Sequence, residues 1–337
     1  MKIIDLFSGI GGFSLGFQRA GFQFTEHYFS EIDKHAIANY KHNFPNANYI
    51  GDITTIQPAD IAGADIITFG SPCQDFSLAG KRAGLAGAKS SLIEYAIALI
   101  AHVRPSLFIW ENVKGAFSSN ARADFWAIIQ AFANLGGYRL EWQLLNTSWL
   151  LPQNRERIYL VGHLAGRSEC GVFPIREIAK DSFKKTRNVY DYSRTILRGY
   201  KNSTSTGSFI KTKDNKIRYL TEIECERLQG FPDNWTQYGN YDVTIKPIAK
   251  TQRYKLIGNA VTVDIVELIA KRLKFIDNET KKDRSIYFER GDKVRIINLN
   301  REGIIISIAY ISYESLSYNV EVCGSTVVIN VKNLEKI

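Results

Sequence analysis

The sequence predicts an α/β protein built on a doubly wound sheet, and three observations carry the prediction. Short β-rich runs alternate with helical patterns over residues 1–164. A glycine-rich turn, Ser8-Gly9-Ile10-Gly11-Gly12, joins the first strand to the first helix. The residues with chemical potential stand just after strands, where open α/β sheets gather ligands.

In order, the pattern gives strand 2–7, helix 12–20, strand 24–30 and helix 34–43. Strand-like runs at 47–50, 65–69 and 106–110 follow, with helices from about 91–102 and 123–135. Strands 139–146 and 157–162 complete the alternation. The rhythm breaks near 162–166, where a segment rich in Gly, Ser, Thr and Lys begins. Thr221 precedes Glu224 by three residues, the spacing that caps a helix start, and that helix runs to Leu228 before Gly230-Phe231-Pro232. A second helix, 263–273, carries a core-facing apolar stripe. After the charged linker 281–284, strand-like alternation at 293–297, 303–309, 318–323 and 326–331 reads as a separate small β-barrel. The expected domains are therefore 1–164, 165–250, a returning helical segment 251–280, and an SH3-like barrel 281–337.

With 337 residues and 45% hydrophobic content, the chain is long enough for a large core and about two domains. Met1 runs straight into a strand, and no apolar run reaches the ~18 residues of a membrane span, so a cytoplasmic protein without membrane association is expected. The four cysteines form no Cys-x-x-Cys pair and the five histidines show no ligand spacing, so neither disulfides nor zinc are expected. The net charge of +9 is concentrated: residues 165–220 hold 13 basic and 5 acidic side chains, a surplus of 8. Interleaved with Phe183, Tyr190, Tyr192, Tyr200 and the hydroxyl-rich 202–208, this segment suits phosphates and base edges.

The glycine turn lets a ligand approach the backbone and helix start. Glu31, about 20 positions on at the end of the second strand, could hold ribose hydroxyls, and Asp52 could take an adenine amino group. Together they describe a nucleoside-bearing cofactor. Pro72-Cys73-Gln74 places a thiol in a loop between Gly70-Ser71 and the glycine- and lysine-containing 80–87, a setting that favours reactivity. Glu111 stands after the apolar 107–110. A thiol and a carboxyl group in loops after two strands can act on one substrate, the thiolate adding to a carbon while the carboxyl group supplies a proton.

These motifs, in this order over most of residues 1–275, resemble the C5-type cytosine DNA methyltransferases. The resemblance implies a doubly wound Rossmann-like methyltransferase domain with S-adenosyl-L-methionine held by Phe7, Gly9, Gly11, Gly12, Glu31, Ile32, Asp52, Ile53, Pro72, Asn259 and Ala260. It implies Cys73 as nucleophile and Glu111 at nitrogen 3 and the amino group of the base. Gln153-Asn154-Arg155-Glu156-Arg157 matches the family's Gln-x-Arg-x-Arg, with Arg157 on oxygen 2 of cytosine and Arg155 supporting the carboxylate. Arg227 to Pro232 matches the motif that organises the recognition domain, and Gly258-Asn259-Ala260-Val261 the late motif. Ile32 stands where many relatives carry a larger residue, Lys89-Ser90-Ser91-Leu92 replaces a common Arg-containing turn, and the recognition segment is short. The implied function is methylation of carbon 5 of cytosine in double-stranded DNA, after rotation of the base out of the duplex, by a monomer of a bacterial or phage modification system with a possible cognate restriction endonuclease. Base-edge contacts are expected within about 185–216, and the 77–92 loop is the expected closing segment. Two rival readings are an RNA cytosine-5 methyltransferase and a catalytically silent DNA-binding regulator. The Cys-Phe-Thr tripeptide of transfer-RNA relatives is absent, and Cys73, Glu111 and Arg157 are all present.

Overall fold

The computed structural model describes residues 1–71, 92–115, 123–165, 171–175, 193–200, 209–211, 214–282, 293–296, 301–311, 316–322, 325–330 and 334–336. They form two compact units, Met1–Ala270 and Lys271–Ile337.

In the first unit, β1 (Lys2–Leu6), α1 (Gly12–Arg19), β2 (Glu26–Ser30), α2 (Lys34–Asn43) and β3 (Asn48–Tyr49) open the alternation. Next come β4 (Ile66–Gly70), α3 (Leu92–Val103), β5 (Leu107–Val113), α4 (Ala123–Ala133), β6 (Tyr138–Asn146), β7 (Gln153–Asn154) and β8 (Glu156–Leu164). Seven strands make one sheet in the order β3-β2-β1-β4-β5-β8-β6. Strands β1 to β5 are parallel, whereas β8 runs antiparallel to both β5 and β6. The sheet is therefore mixed. Nine residues separate β6 from β8, too few for the crossover that a parallel pair requires, so the chain must turn back.

The central parallel strands β1, β4 and β5 are largely apolar on both sides because both sides are covered, and Ile3, Ile4 and Leu6 are fully buried. One face meets α3 and α4 in a core that includes Phe69, Phe108, Trp110, Phe125, Phe132 and Leu160. Each such fully buried large side chain contributes roughly 1.5–3 kcal/mol over its exposed state. Asp33 starts α2 by accepting from His35 N and Ala36 N at 2.9 and 3.3 Å.

The remaining elements of this part of the chain are β9 (Ser193–Arg194), β10 (Phe209–Lys211), β11 (Ile217–Tyr219), α5 (Glu222–Leu228), β12 (Tyr238–Tyr241), β13 (Thr244–Pro247), α6 (Lys250–Asn259) and α7 (Val263–Lys282). The capping box ahead of α5 forms as the spacing predicts: Glu224 N donates to Thr221 Oγ1 at 3.3 Å and Thr221 N to Glu224 Oε2 at 2.7 Å. Helix α7 runs nine residues beyond its predicted end at Leu273, because Lys274 to Lys282 contain neither glycine nor proline to stop it. A Cβ on Gly16 would lie 2.6 Å from Val266, so glycine there lets α1 and α7 approach closely.

The second unit is a five-stranded antiparallel sheet of β14 (Lys293–Ile296), β15 (Arg301–Ile311), β16 (Leu316–Val322), β17 (Ser325–Asn330) and β18 (Leu334–Lys336), ordered β17-β16-β15-β14-β18. Alternation located the first four strands; the three-residue β18 is too short for a period to register.

Candidate active site

The turn after β1 bends through Phe7 (φ +50°), Gly9 (φ +54°) and Gly11 (φ +83°). A Cβ on Gly11 would meet the Phe44 ring at 2.3 Å and one on Gly12 would meet Val261 at 2.6 Å, so those two glycines serve close packing. A Cβ on Gly9 would meet nothing within 4 Å, which leaves that face of the turn open to a ligand. Glu31 ties the turn to β2: its Oε2 accepts from Gly9 N at 2.9 Å, and Oε1 accepts from Ile32 N and Asp33 N at 2.8 and 3.0 Å. Ile32 next to it is 72% exposed, an apolar side chain with no core to serve. Asp52 caps the short turn Ile53–Thr55 through Thr54 N at 3.0 Å, with Ile53 buried beneath. Asn259 is exposed and Ala260 buried at the end of α6.

Pro72 and Cys73 lie outside the described residues, as do the 77–91 part of the expected closing loop and most of 185–216. The residue leading into them is fixed. Ser71 is buried, its Oγ accepts from Trp110 Nε1 at 3.0 Å, and Asn112 Nδ2 donates to Ser71 O and Oγ at 3.1 and 3.2 Å. Trp110 and Asn112 flank Glu111, so the strand entering Cys73 is tied to the strand that carries the carboxylate.

Glu111 lies in a row that crosses four strands, Gly70, Glu111, Tyr159 and Gln143. A Cβ on Gly70 would stand 3.1 Å from Glu111 Oε2, so glycine makes room for the carboxylate. On its other side Arg157 Nε reaches Glu111 Oε1 at 3.0 Å. Burial raises the Glu111 pKa above the ordinary carboxylate range, against the opposing charges of Arg157 and then Arg155. Burial and the two cations therefore act on the carboxyl group in opposite senses, with burial the larger.

Arg155 is also buried, and its hydrogen bonds go to backbone carbonyls: Ile196 O at 3.2 Å, Gly258 O at 3.3 Å and Ala260 O at 2.8 Å. Burial pulls its pKa down to about 9, with the charge of Arg157 adding to the effect. It supports Glu111 by charge alone while fastening the end of α6. Arg157 makes the direct bond. Gln153 completes the joint, donating to Leu228 O at 2.8 Å and accepting from Ile196 N at 2.9 Å.

Sequence reasoning missed several residues here. Tyr159 reads as an ordinary strand position, yet it neighbours Glu111. Glu141 and Gln143 on β6 hold the chain at 172–175: Glu141 accepts from Val172 N and Phe173 N, and Gln143 both accepts from Ile175 N and donates to Ile175 O at 2.7 Å. Behind the glycine turn, Asp5 accepts from Thr68, Ser14 and Tyr40, and Ser14 and Tyr40 also bond His27. Among the described residues no cluster of three His, Cys, Asp or Glu side chains could hold a metal, and no helix is long and apolar enough to cross a membrane.

A family model described as "C-5 cytosine-specific DNA methylase" matches residues 1–195 and 168–275. The chain is 32% identical over 324 residues to "Type II methyltransferase M1.ScrFI" of Lactococcus lactis subsp. cremoris, covering 83% of this chain and 80% of that protein. It is 32% identical over 327 residues to "Type II methyltransferase M.NgoBI" of Neisseria gonorrhoeae, covering 86% and 99%. The solved S. pombe Dnmt2 methyltransferase superposes with a TM-score of 0.64 at 22% identity, covering 81% of this chain and 98% of that one, which establishes a shared α/β fold.

Proposed function

The chain belongs to the C-5 cytosine-specific DNA methylase family and methylates cytosine in DNA at carbon 5; from that premise we propose how its own residues carry the reaction. The cofactor is S-adenosyl-L-methionine, which supplies an electrophilic methyl group on a sulfonium centre. Gly9, open on one face, and the exposed Ile32 fit such a ligand, and Phe7, Glu31, Asp52, Ile53, Asn259 and Ala260 would join them, with Pro72 assigned by the resemblance alone. The fixed backbone of the Glu31 turn supports a preformed pocket.

The target cytosine leaves the duplex and enters the site beside Cys73 and Glu111. The Cys73 thiolate forms a bond to carbon 6 while the Glu111 carboxyl group gives its proton to nitrogen 3, and the electron pair of the 5,6 double bond becomes available at carbon 5. Carbon 5 would then take the methyl group, the methyl–sulfur bond breaking with its electron pair left on the sulfur of a neutral thioether. A base then removes the carbon 5 proton, the sulfur–carbon bond breaks, the double bond re-forms, and the nitrogen 3 proton returns to Glu111. Arg157 holds Glu111 and faces oxygen 2 of the base, and Arg155 keeps the late motif in place.

One observation carries this reading: a buried Glu111, its pKa raised by burial, is braced by Arg157 on the strand next to the one whose anchored Ser71 leads into Cys73. The basic residues of 165–250 form the target-recognition region, with 251–280 returning to the catalytic part and 281–337 as an accessory SH3-like barrel. The relatives' names support a type II modification methyltransferase; that it works as a cytoplasmic monomer beside a cognate endonuclease is part of the proposal. Expression of the wild type and Cys73→Ala in a host lacking cytosine methylation tests the proposal. Base-resolution mapping should find 5-methylcytosine at one short motif with the wild type and none with the variant. Methylation that persists in Cys73→Ala would remove the covalent step.

A further inference from the structure

Tyr159 is 1% exposed, and its hydroxyl has no hydrogen-bond partner among the described residues. Buried polar atoms in folded proteins almost always have one, so the exception calls for a reason. Tyr159 pairs directly with Glu111 on β5 and with Gln143 on β6, so the three side chains leave the same face of the sheet side by side. Gln143 is already committed at both its amide atoms to Ile175. Arg155 and Arg157 only donate and cannot accept from a phenol. The acceptor within the row is the Glu111 carboxyl group, whose charge is also the strongest neighbouring influence on the Tyr159 hydroxyl after burial itself.

The free protein uses Arg157 Nε to hold Glu111 Oε1. When Glu111 engages nitrogen 3 and the amino group of a cytosine, that bond holds only one of its two oxygens, and a second donor would fix the carboxyl group. Tyr159, the next residue of the row, carries a buried hydroxyl that is not otherwise committed among the described residues. We propose that Tyr159 is a positioning residue for Glu111, its hydroxyl donating to the carboxyl group as the base is engaged. The inference rests on the role assigned to Glu111 above.

The experiment compares single-turnover methylation rates against pH for wild type, Tyr159→Phe, Glu111→Gln and protein carrying 3-fluorotyrosine at position 159. A bond donated to the carboxylate favours its charged form. Without it Glu111 holds its proton to higher pH, so the alkaline limb of the Tyr159→Phe profile should move upward by about half a pH unit or more. The rate should fall about tenfold, the effect of a modestly misplaced carboxyl group, with DNA and cofactor affinities within about twofold. Fluorotyrosine, the stronger donor, should move the limb downward. An unmoved limb and near-wild-type rate in Tyr159→Phe, or shifts of both variants in the same direction, would overturn the proposal. If the phenylalanine protein does not fold, the direction of the fluorotyrosine shift decides alone. Near-wild-type activity in Glu111→Gln would instead overturn the role of Glu111, an outcome separate from failure of Tyr159 alone.

Discussion

Replacement of Gly70 by alanine tests the proposed role of the Glu111 carboxylate most directly. The added Cβ would stand 3.1 Å from Glu111 Oε2, about 0.3 Å inside the 3.4 Å where ordinary contact begins. Glu111 cannot simply retreat, because Arg157 Nε holds Oε1 at 3.0 Å and Tyr159 occupies the next place in the row. The carboxylate must shift by a few tenths of an ångström. A full ångström of misplacement costs about 100-fold in rate, so this shift should lower kcat roughly three- to tenfold. Gly70 has no positive φ, so backbone strain adds nothing and stability should fall by only about 1 kcal/mol, the low end of overpacking. Single-turnover methylation at saturating DNA and cofactor, beside a thermal melt, separates the two effects. A wild-type rate with an unchanged melt would refute the reasoning, because Glu111 would then tolerate displacement or lie elsewhere during turnover.

Arg157→Ala removes the cation that opposes burial at Glu111, so the carboxyl group should hold its proton to still higher pH and activity should drop at least 100-fold; a pH–rate profile checks both. Glu226 is fully buried against Arg253 at 2.9 Å, so Glu226→Ala should cost about 3–5 kcal/mol by leaving a buried guanidinium unpaired, and calorimetry should find Tm lower by roughly 10 °C. Burial raises Asp5 to about 7 and lowers His27 to about 4. The stability that follows from Asp5 is present below pH 3.8 and lost as pH rises towards 7, whereas that from His27 is present above pH 6.5 and lost as pH falls towards 4. The slopes oppose between pH 4 and 6.5, so Asp5→Asn should expose the histidine and make urea midpoints fall with acid; parallel profiles for variant and wild type would sink that account.

The strand–helix alternation was legible because the central parallel strands are covered on both faces and read as apolar runs, as in Ile66-Ile67 and Phe108-Ile109-Trp110. Glu111 was legible for the same reason: a carboxylate directly after such a run has no structural excuse. The roles of the two arginines were not. Strand alternation sends positions 155 and 157 to the same side, and only the packed structure decides that Arg157 bonds the carboxylate while Arg155 spends its guanidinium on three carbonyls. The anchoring residues Glu141 and Gln143 were hidden as well, because polar side chains at alternate positions of an edge strand look like a solvated face.

The row Gly70, Glu111, Tyr159 and Gln143 joins these pieces into one physical argument. It begins on the strand that leads into Cys73, passes through the carboxylate braced by Arg157, and ends at an amide that holds both backbone groups of Ile175, close to the start of the basic segment. Hydrogen-bonded strands resist relative movement far more than loops do, because sliding one against its neighbour breaks a ladder of bonds at once. A seven-stranded sheet thus gives the carboxylate and the anchor of the chain at 172–175 a common rigid reference. The antiparallel insertion of β8 between β5 and β6 is what makes this possible. It places Arg157 and Tyr159 beside Glu111, with Gln143 one strand further on, an order that a parallel continuation of the sheet could not reach with nine intervening residues.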